Sequence, residues 1–431
     1  MNFNTKSFER WRWTIILVAF AALHAVIFIG IFPAGGPDMG LYYEYASKIG
    51  QGLLPYRDFA VEYPPGAFII FYIPYLASHV MPLFSANFDG YSQAFSWLML
   101  AFNIAGLYMV YDMARQAKLS PWSVLIGYTL AIAAIGSIAV QRFDLPPAIM
   151  MLAALWAFSR SRYKIAWGVL VVGGMTKIFP LALAPLFLLY QLWRGDLRKL
   201  LPSLAVCAGA AVVIAVPFLI VDAGGFFAAF TTQGGRDLQL ESLYASLLLF
   251  ADSLGIGNAT PYQGPVSLDV ASPLSASLAR MSFVFMALGA FLMYGLYFRH
   301  LRKSGVRDLP RYGMPNDDLT QMINYSFAVV LVLILTSKVF SPQFILWLYP
   351  LFPLLSGRFR AALWGIFIVA ACFTQYIYPV RYWDLVDKQV VMVWVLLLRN
   401  ALLVLMVVLL AMERPEPDDL AQLSASTETA A

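Results

Sequence analysis

Long apolar runs, separated by short polar segments, are the feature that most constrains the fold of this chain. Apolar residues make up 61% of the 431 positions and charged residues only 12%. A helix of about 20 apolar residues is long enough to cross the hydrocarbon core of a bilayer, where every backbone polar group must be satisfied within the protein. The sequence therefore predicts an all-α polytopic membrane protein, with membrane lipids as its surroundings.

Short basic clusters between the apolar runs predict the topology, because lysine and arginine are enriched in cytoplasmic loops. If every cluster faces the cytoplasm, each segment between two neighbouring clusters crosses the membrane an even number of times. This rule predicts about twelve transmembrane helices with both termini in the cytoplasm. The net charge of +5 is modest and does not imply nucleic acid as a partner. The clusters fall at 6–12, 115–118, 160–164, 194–199, 299–311 and 358–360.

Three segments do not follow directly from the crossing rule. The apolar run 14–32 is long for a signal peptide, so it is predicted to be an uncleaved first helix. The run 67–83 is short and holds two prolines, which indicates an interfacial or re-entrant helix. Residues 1–412 form one transmembrane domain. Residues 413–431 are acidic, small and polar, and are predicted to be a disordered cytoplasmic tail.

Cysteine and histidine give no sign of a disulfide framework or a metal centre. Cys207 and Cys372 both fall within apolar runs. His24, His79 and His300 are far apart and match no metal-ligand spacing, so core or interfacial packing is the expected role of each. Neither a metal nor a cofactor is predicted.

The polar interruption at 33–66 brings ionisable side chains to a bilayer surface. It follows the first apolar run and holds Asp38, Arg57, Asp58 and Glu62. Ionisable groups near a bilayer core usually face a protein-lined cavity, so the even-crossing rule predicts an aqueous pocket at the outer leaflet. The side chains that the rule places on the same face are Arg142, Asp144, Lys177, Arg236, Glu241, Lys338 and Gln343.

A mixture of cations and carboxylates suits a lipid-linked phosphate. Lysine or arginine can hold the phosphate, while a carboxylate can take a proton from an incoming hydroxyl. Structural roles are open alternatives: Asp38 follows Gly-Gly-Pro, where a helix cap is common, and Arg57 with Asp58 fits a local ion pair.

Other charged residues have structural alternatives too. Arg142 and Asp144 are close enough in sequence to neutralise each other, and Lys177 can snorkel to lipid headgroups. Pro342, after Lys338, fits the start of a helix. Arg399, deep in the last apolar run, is expected to pair within the helix bundle rather than to reach a substrate.

Six segments, in a fixed order through most of the chain, carry a family resemblance. They are Asp38 followed by Tyr42, PYRDFAVEYPPG from Pro55, RFDLPPA from Arg142, GGMTKIFP from Gly173, GGRDLQLES from Gly234 and SKVFSPQFILWLYP from Ser337. Together they resemble the polyprenyl-phosphate-mannose-dependent mannosyltransferases of glycosyltransferase family 87, which belong to the C-type, multi-spanning superfamily.

This resemblance implies a C-type fold whose first outer loop contains interfacial helices. It implies an inverting transfer of mannose from a polyprenyl phosphate carrier to a lipid or glycan acceptor hydroxyl, on the outer face of a bacterial plasma membrane. An aspartate of the first outer loop is the base in that superfamily; Asp38 is the matching position, and Asp58 and Glu62 are the alternatives. The expected substrate-binding residues are Tyr42, Arg57, Arg142, Asp144, Lys177, Arg236, Glu241, Lys338 and Gln343.

Two rival functions stay open. A transporter or lipid flippase also has many helices and intramembrane charges, but the sequence has no obvious internal repeat and its charges gather at one face rather than near the midplane. A C-type transferase that uses another sugar is the second rival. No Asp-x-Asp motif with a soluble domain is visible, which favours a lipid-linked donor over a nucleotide sugar.

Overall fold

The structure is a computed structural model that describes residues 5–32, 34–194, 197–303 and 313–413. Seven helices in these ranges are long and apolar enough to cross a membrane, which confirms a helical, integral membrane protein. The predicted tail beyond residue 413 lies outside the described residues. The seven spans are Trp11–Ile31, Phe88–Gln116, Leu197–Thr231, Ser275–Lys303, Asn316–Thr336, Arg360–Val380 and Val390–Ala411.

The first quarter of the chain combines two long helices with two short ones. The predicted first helix is present, and its last turn is π-helical at Val26–Ile31. The run 67–83 forms a helix of only 14 residues, about 21 Å long at 1.5 Å per residue. That length is less than the hydrocarbon thickness and is compatible with the predicted interfacial or re-entrant placement. The helices are α1 (Thr5–Ala25), α2 (Pro37–Gly50), α3 (Ala67–Val80) and α4 (Phe88–Gln116).

The next part is built from short helices joined by breaks that lie close together in space. One helix stops at Gly136, whose φ of 68° favours glycine, and the chain is extended at Arg142 before prolines begin another helix. Because these helices have only 14 or 15 residues, their length does not identify them as membrane spans. The predicted count of twelve spans is therefore not confirmed. The elements are α5 (Pro121–Ile135), α6 (Ile138–Gln141), α7 (Leu145–Ser159), α8 (Tyr163–Thr176), a 3-10 turn at Phe179–Leu183, and α9 (Ala184–Arg194).

The segment from Asp222 to Ser275 combines the end of a kinked helix, a short helix and a hairpin. The preceding helix continues through a kink at Asp222, whose carboxylate accepts a hydrogen bond from the backbone N–H of Gly225 at 3.0 Å and so supports the restarted helix. A short antiparallel hairpin of two four-residue strands follows, within an otherwise helical chain. The elements are α10 (Leu197–Gly234), α11 (Leu243–Ser253), β1 (Thr260–Gln263), β2 (Leu268–Ala271) and α12 (Ser275–Lys303).

The last part places a buried helix beside broken ones. α13 (Asn316–Thr336) is mostly buried, whereas the most apolar 18 residues of α10 contain no buried residue and are free to face lipid. The elements after α13 are a 3-10 turn at Pro342–Phe344, α14 (Ile345–Leu348), a 3-10 turn at Phe352–Leu354, α15 (Arg360–Gln375), a π-helical turn at Tyr376–Val380, α16 (Tyr382–Val386) and α17 (Val390–Ala411).

Candidate functional site

A cavity of about 690 Å³ lies where the breaks between the short helices meet the first polar loop and the β-hairpin. Its wall is rich in aromatic rings as well as charges. The ring-bearing side chains include Tyr63, Phe179, Phe344, Trp347, Tyr378 and Tyr382. The charged residues that line it are Asp38, Glu62, Arg142, Lys177, Arg236 and Glu241, and Gln343 also lines it.

Asp38 lies in the first turn of α2 and forms an ion pair with Arg142. The helix begins at Pro37 after two glycines with positive φ, and no side chain caps it, so the structure does not support a capping role for Asp38. Arg142 also donates a hydrogen bond to the Tyr378 hydroxyl at 2.8 Å. One-third of the Asp38 side chain remains exposed (33%), which leaves its carboxylate accessible from the cavity.

Asp144 pairs with Lys177 and not with Arg142, so the mutual neutralisation of Arg142 and Asp144 was a wrong expectation. The carboxylate of Asp144 is fully buried and accepts hydrogen bonds at 2.7 Å from Lys177 Nζ and from Trp347 Nε1. Lys177 follows the last residue of α8, and its Nζ lies 4.6 Å from the centre of the Phe143 ring. Lys177 therefore does not snorkel to lipid headgroups, because a buried carboxylate holds its ammonium group at the cavity wall.

Glu62 and Asp58 lie in different surroundings although only four positions separate them. Asp58 accepts two hydrogen bonds from Arg57, at 2.9 and 3.0 Å, and one from the backbone N–H of Leu54. The expected local ion pair is thus confirmed. Arg57 and Asp58 line a second cavity of about 420 Å³ and are absent from the described wall of the larger one.

Glu62 lines both cavities. Burial raises the pKa of its carboxyl group above the ordinary value, although the positive charge of Arg236 opposes this shift. Glu62 is therefore the second carboxylate, beside Asp38, that the structure brings to the larger cavity from the first polar loop.

Arg236 reaches the cavity from the segment that connects α10 to the hairpin. Its guanidinium donates to the Ser267 hydroxyl at 2.8 Å, and that hydroxyl donates to the Asp269 carboxylate at 2.7 Å. Lys338 lies behind this segment: its Nζ donates to the backbone carbonyl of Gly234 at 2.6 Å and to that of Arg236. Lys338 is not part of the described cavity wall and instead holds the backbone that carries Arg236.

Glu241 is held by Arg399, which confirms that Arg399 pairs within the bundle. The carboxylate and guanidinium are 2.8 Å apart and both side chains are fully buried. Tyr42, expected near the substrate, is also buried: its ring stacks on Phe71 with 4.5 Å between centroids and is absent from the described wall of the cavity.

Several wall residues were not predicted from the sequence. Tyr378 lay inside an apolar run, where its pattern gave no signal of a polar contact. Phe344 and Trp347 belong to the segment SKVFSPQFILWLYP, but their roles could not be read from it. The rings of Phe179 and Trp347 stack in parallel with 4.2 Å between centroids, and Phe344 stacks on Trp347 at 3.9 Å. This stack gives the cavity an apolar side next to Lys177.

Comparisons with known proteins do not assign a family. No protein-family model matches the chain, and no curated protein matches its sequence. Two solved structures of ArnT from Cupriavidus metallidurans are similar at 16% sequence identity. The apo structure has a TM-score of 0.48 over 94% of this chain and 77% of that one, and the structure bound to undecaprenyl phosphate has 0.45 over 92% and 77%.

The fold and the site together define a helical integral membrane protein with a cavity that combines carboxylates, cations and aromatic rings. The similarity scores do not place the chain in a named family.

Proposed function

We propose that this protein is a membrane glycosyltransferase that transfers a sugar, with inversion, from a polyprenyl phosphate carrier to an acceptor hydroxyl. One observation carries the proposal. The larger cavity gathers two carboxylates of the first polar loop and three cations, although these side chains come from separate parts of the chain. Charged groups in a membrane protein are expensive to bury and usually mark a substrate pathway.

The three cations suit the phosphate of the donor. Arg142, Lys177 and Arg236 line one cavity, and each can give a charge-assisted hydrogen bond to a phosphate oxygen. Negative charge accumulates on that phosphate as the sugar departs, so cations fixed in advance stabilise the transition state more than the ground state. The aromatic stack of Phe179, Phe344 and Trp347 next to Lys177 provides an apolar surface for a lipid or a sugar face.

Asp38 is the proposed base. Its carboxylate is partly exposed and is kept in place by Arg142. The acceptor oxygen attacks the anomeric carbon from the face opposite the phosphate, the bond from that carbon to the phosphate oxygen breaks, and the acceptor proton passes to Asp38. A single displacement inverts the anomeric configuration. Glu62 is the alternative base, whereas Asp58 lies in the smaller cavity with its carboxylate bound to Arg57.

Mannose is the first sugar to test, because the six segments resemble the family 87 mannosyltransferases. A lipid or glycan acceptor on the outer face of the plasma membrane fits the topology proposed from the basic clusters. A transferase that uses another sugar would need the same cations and base, so the cavity itself does not select between sugars.

The decisive experiment measures bond formation. Purified protein in lipid vesicles is incubated with radiolabelled polyprenyl-phosphate mannose and candidate lipid acceptors, with Asp38→Asn as the matched control. Label should appear on the acceptor with wild type only. Movement of the labelled lipid across the bilayer without a new glycosidic bond would instead identify a flippase.

The same assay tests the donor class. Three cations at the cavity can balance one leaving phosphate without a divalent ion, whereas a diphosphate donor commonly needs one. Activity should survive a chelator and should require the lipid-phosphate sugar. Transfer from a soluble nucleotide sugar, or loss with chelator that magnesium or manganese restores, would contradict the proposed mechanism.

A further inference from the structure

A third cavity lies at the other end of α8 from the proposed active site. Its volume is about 760 Å³, and it is formed by the start of α8 and the start of α10. Lys177, on the wall of the first cavity, follows the last residue of α8. Because α8 has 14 residues, the two cavities are separated by about 20 Å along the helix axis. The third cavity is therefore not an extension of the first.

Four cations line this third cavity: Arg162, Lys164, Arg198 and Lys199. Its described lining contains no carboxylate; the other members are tyrosine, serine, isoleucine and proline side chains. The four cations come from the residue before α8 and from the first turns of α8 and α10, and they line one concave surface. This arrangement is suited to an anion with several oxygen acceptors, such as a phosphate group.

The surroundings of the cavity are apolar and open. Ile165, on its wall, is 54% exposed, and Leu197 and Leu201 at the start of α10 are each 60% exposed. The apolar body of α10 that continues from this point has no buried residue in its most apolar 18 positions. An anion in the cavity would thus lie at the end of a helix surface that acyl chains can cover.

We propose that this cavity binds the phosphate headgroup of an anionic membrane lipid, whose acyl chains lie along the exposed face of α10. The cations attract the headgroup, and the apolar face of α10 distinguishes a lipid from a free anion, since only a lipid can cover both. The site is independent of the proposed catalytic function and would exist equally in a transporter.

Native mass spectrometry of the delipidated full-length protein tests this proposal. The probes are phosphatidylglycerol and phosphatidylcholine with identical acyl chains, titrated into wild type and into Lys164→Gln/Arg198→Gln. Wild type should bind phosphatidylglycerol more tightly, and the double variant should lose roughly tenfold or more of that affinity. Added salt should weaken the binding, because the two side chains are exposed.

Arg115→Gln/Lys118→Gln is the matched control, because it removes two exposed cations from another basic cluster and leaves the cavity intact. It should bind both lipids as wild type does. Melting temperatures check that each variant is folded, and the single variants Lys164→Gln and Arg198→Gln replace the double variant if that one is unstable.

Three results would overturn the proposal. Wild type could bind the two lipids equally, or the control could lose as much affinity as the cavity variant, which would indicate a general surface charge effect. Inorganic phosphate could also displace phosphatidylglycerol as effectively as a second anionic lipid does, and the cavity would then be a site for a free anion.

Discussion

Two carboxylates that line the same cavity, Asp38 and Glu241, are paired with guanidinium groups in different ways. Glu241 and Arg399 are both 0% exposed, whereas Asp38 is 33% exposed and its partner Arg142 only 7%. Arg399 is also bound to the backbone carbonyl of Glu241 at 2.7 Å, so its guanidinium is fully engaged with the segment before α11. The sealed pair joins α17 to the segment before α11, while the open pair leaves the Asp38 carboxylate accessible from the cavity.

The same contrast separates two lysines that the sequence placed in one class. Lys177 lines the cavity and is paired with the Asp144 carboxylate, while Lys338 is turned towards backbone carbonyls. A charged side chain is therefore a candidate for substrate contact only if it reaches the cavity; its charge alone is not enough.

The largest effect is expected from Asp38→Asn. If Asp38 is the base, the substitution should lower the rate of sugar transfer by about 100-fold or more. The melting temperature should stay close to that of wild type, because Asn has the same size and Arg142 keeps its hydrogen bond to Tyr378. Initial rates with the lipid-linked donor provide the measurement.

Asp58→Asn is the matched control for this experiment, since Asp58 is bound to Arg57 outside the described wall of the cavity that holds Asp38. It should keep most of the activity. An active Asp38→Asn protein would move the role of base to Glu62, or to Asp58 if the control were the inactive variant.

Breaking the sealed pair should affect stability instead. Arg399→Met leaves the Glu241 carboxylate buried without its cation, which typically costs about 3 to 5 kcal/mol of folding free energy. The double variant Glu241→Gln/Arg399→Met should recover part of the loss. Thermal unfolding in detergent measures both. An Arg399→Met protein as stable as wild type would mean that the pair does not hold α17 in place.

Substitutions of Lys177 and of Lys338 should weaken donor use by different routes. Loss of a charge-assisted phosphate contact in Lys177→Ala should cost roughly 1.5 to 3 kcal/mol, seen as a raised half-saturation for donor or a lowered rate. Lys338→Ala should also weaken donor use, because it releases the backbone that carries Arg236.

A double-mutant cycle distinguishes these routes. In an Arg236→Ala background the effect of Lys338→Ala should nearly vanish, while the effect of Lys177→Ala should persist. Additive losses from Lys338 and Arg236 would show that Lys338 acts on the donor by itself. If both lysine variants match wild type at limiting donor, neither lysine contributes to phosphate binding.

The sequence was sufficient for the membrane class and for the charged residues on the described wall of the cavity, because apolar length and the position of charges are strong constraints in a bilayer. It also selected Arg57, Asp58 and Lys338, which lie elsewhere, and it missed most of the aromatic wall. It could not give the pairings. Arg142 and Asp144 are neighbours in sequence, but the break before α7 directs them to partners in different segments, Asp38 and Lys177. The hairpin β1–β2 was missed because its strands have only four residues each.

The smallest expected effect is on the pH dependence of stability, and it concerns the buried carboxylate of Glu62. Burial raises the folded-state pKa of Glu62, so the folded protein binds a proton more readily than the unfolded chain does. The free energy of unfolding is therefore highest below pH 4.5, the pKa of this carboxyl group in the unfolded chain. It falls as the pH rises through the folded-state pKa, and the full loss is present above that pKa. Glu62→Gln removes the cost of burying the ionised carboxylate and should give a slightly more stable protein near pH 7, with a flatter dependence of melting temperature on pH.

Melting curves of wild type and Glu62→Gln between pH 4 and pH 8 test this prediction. Glu44→Gln is the control, because Glu44 is an exposed carboxylate paired with Lys48 in α2. Parallel wild-type and Glu62→Gln curves would show that burial of Glu62 is not coupled to folding.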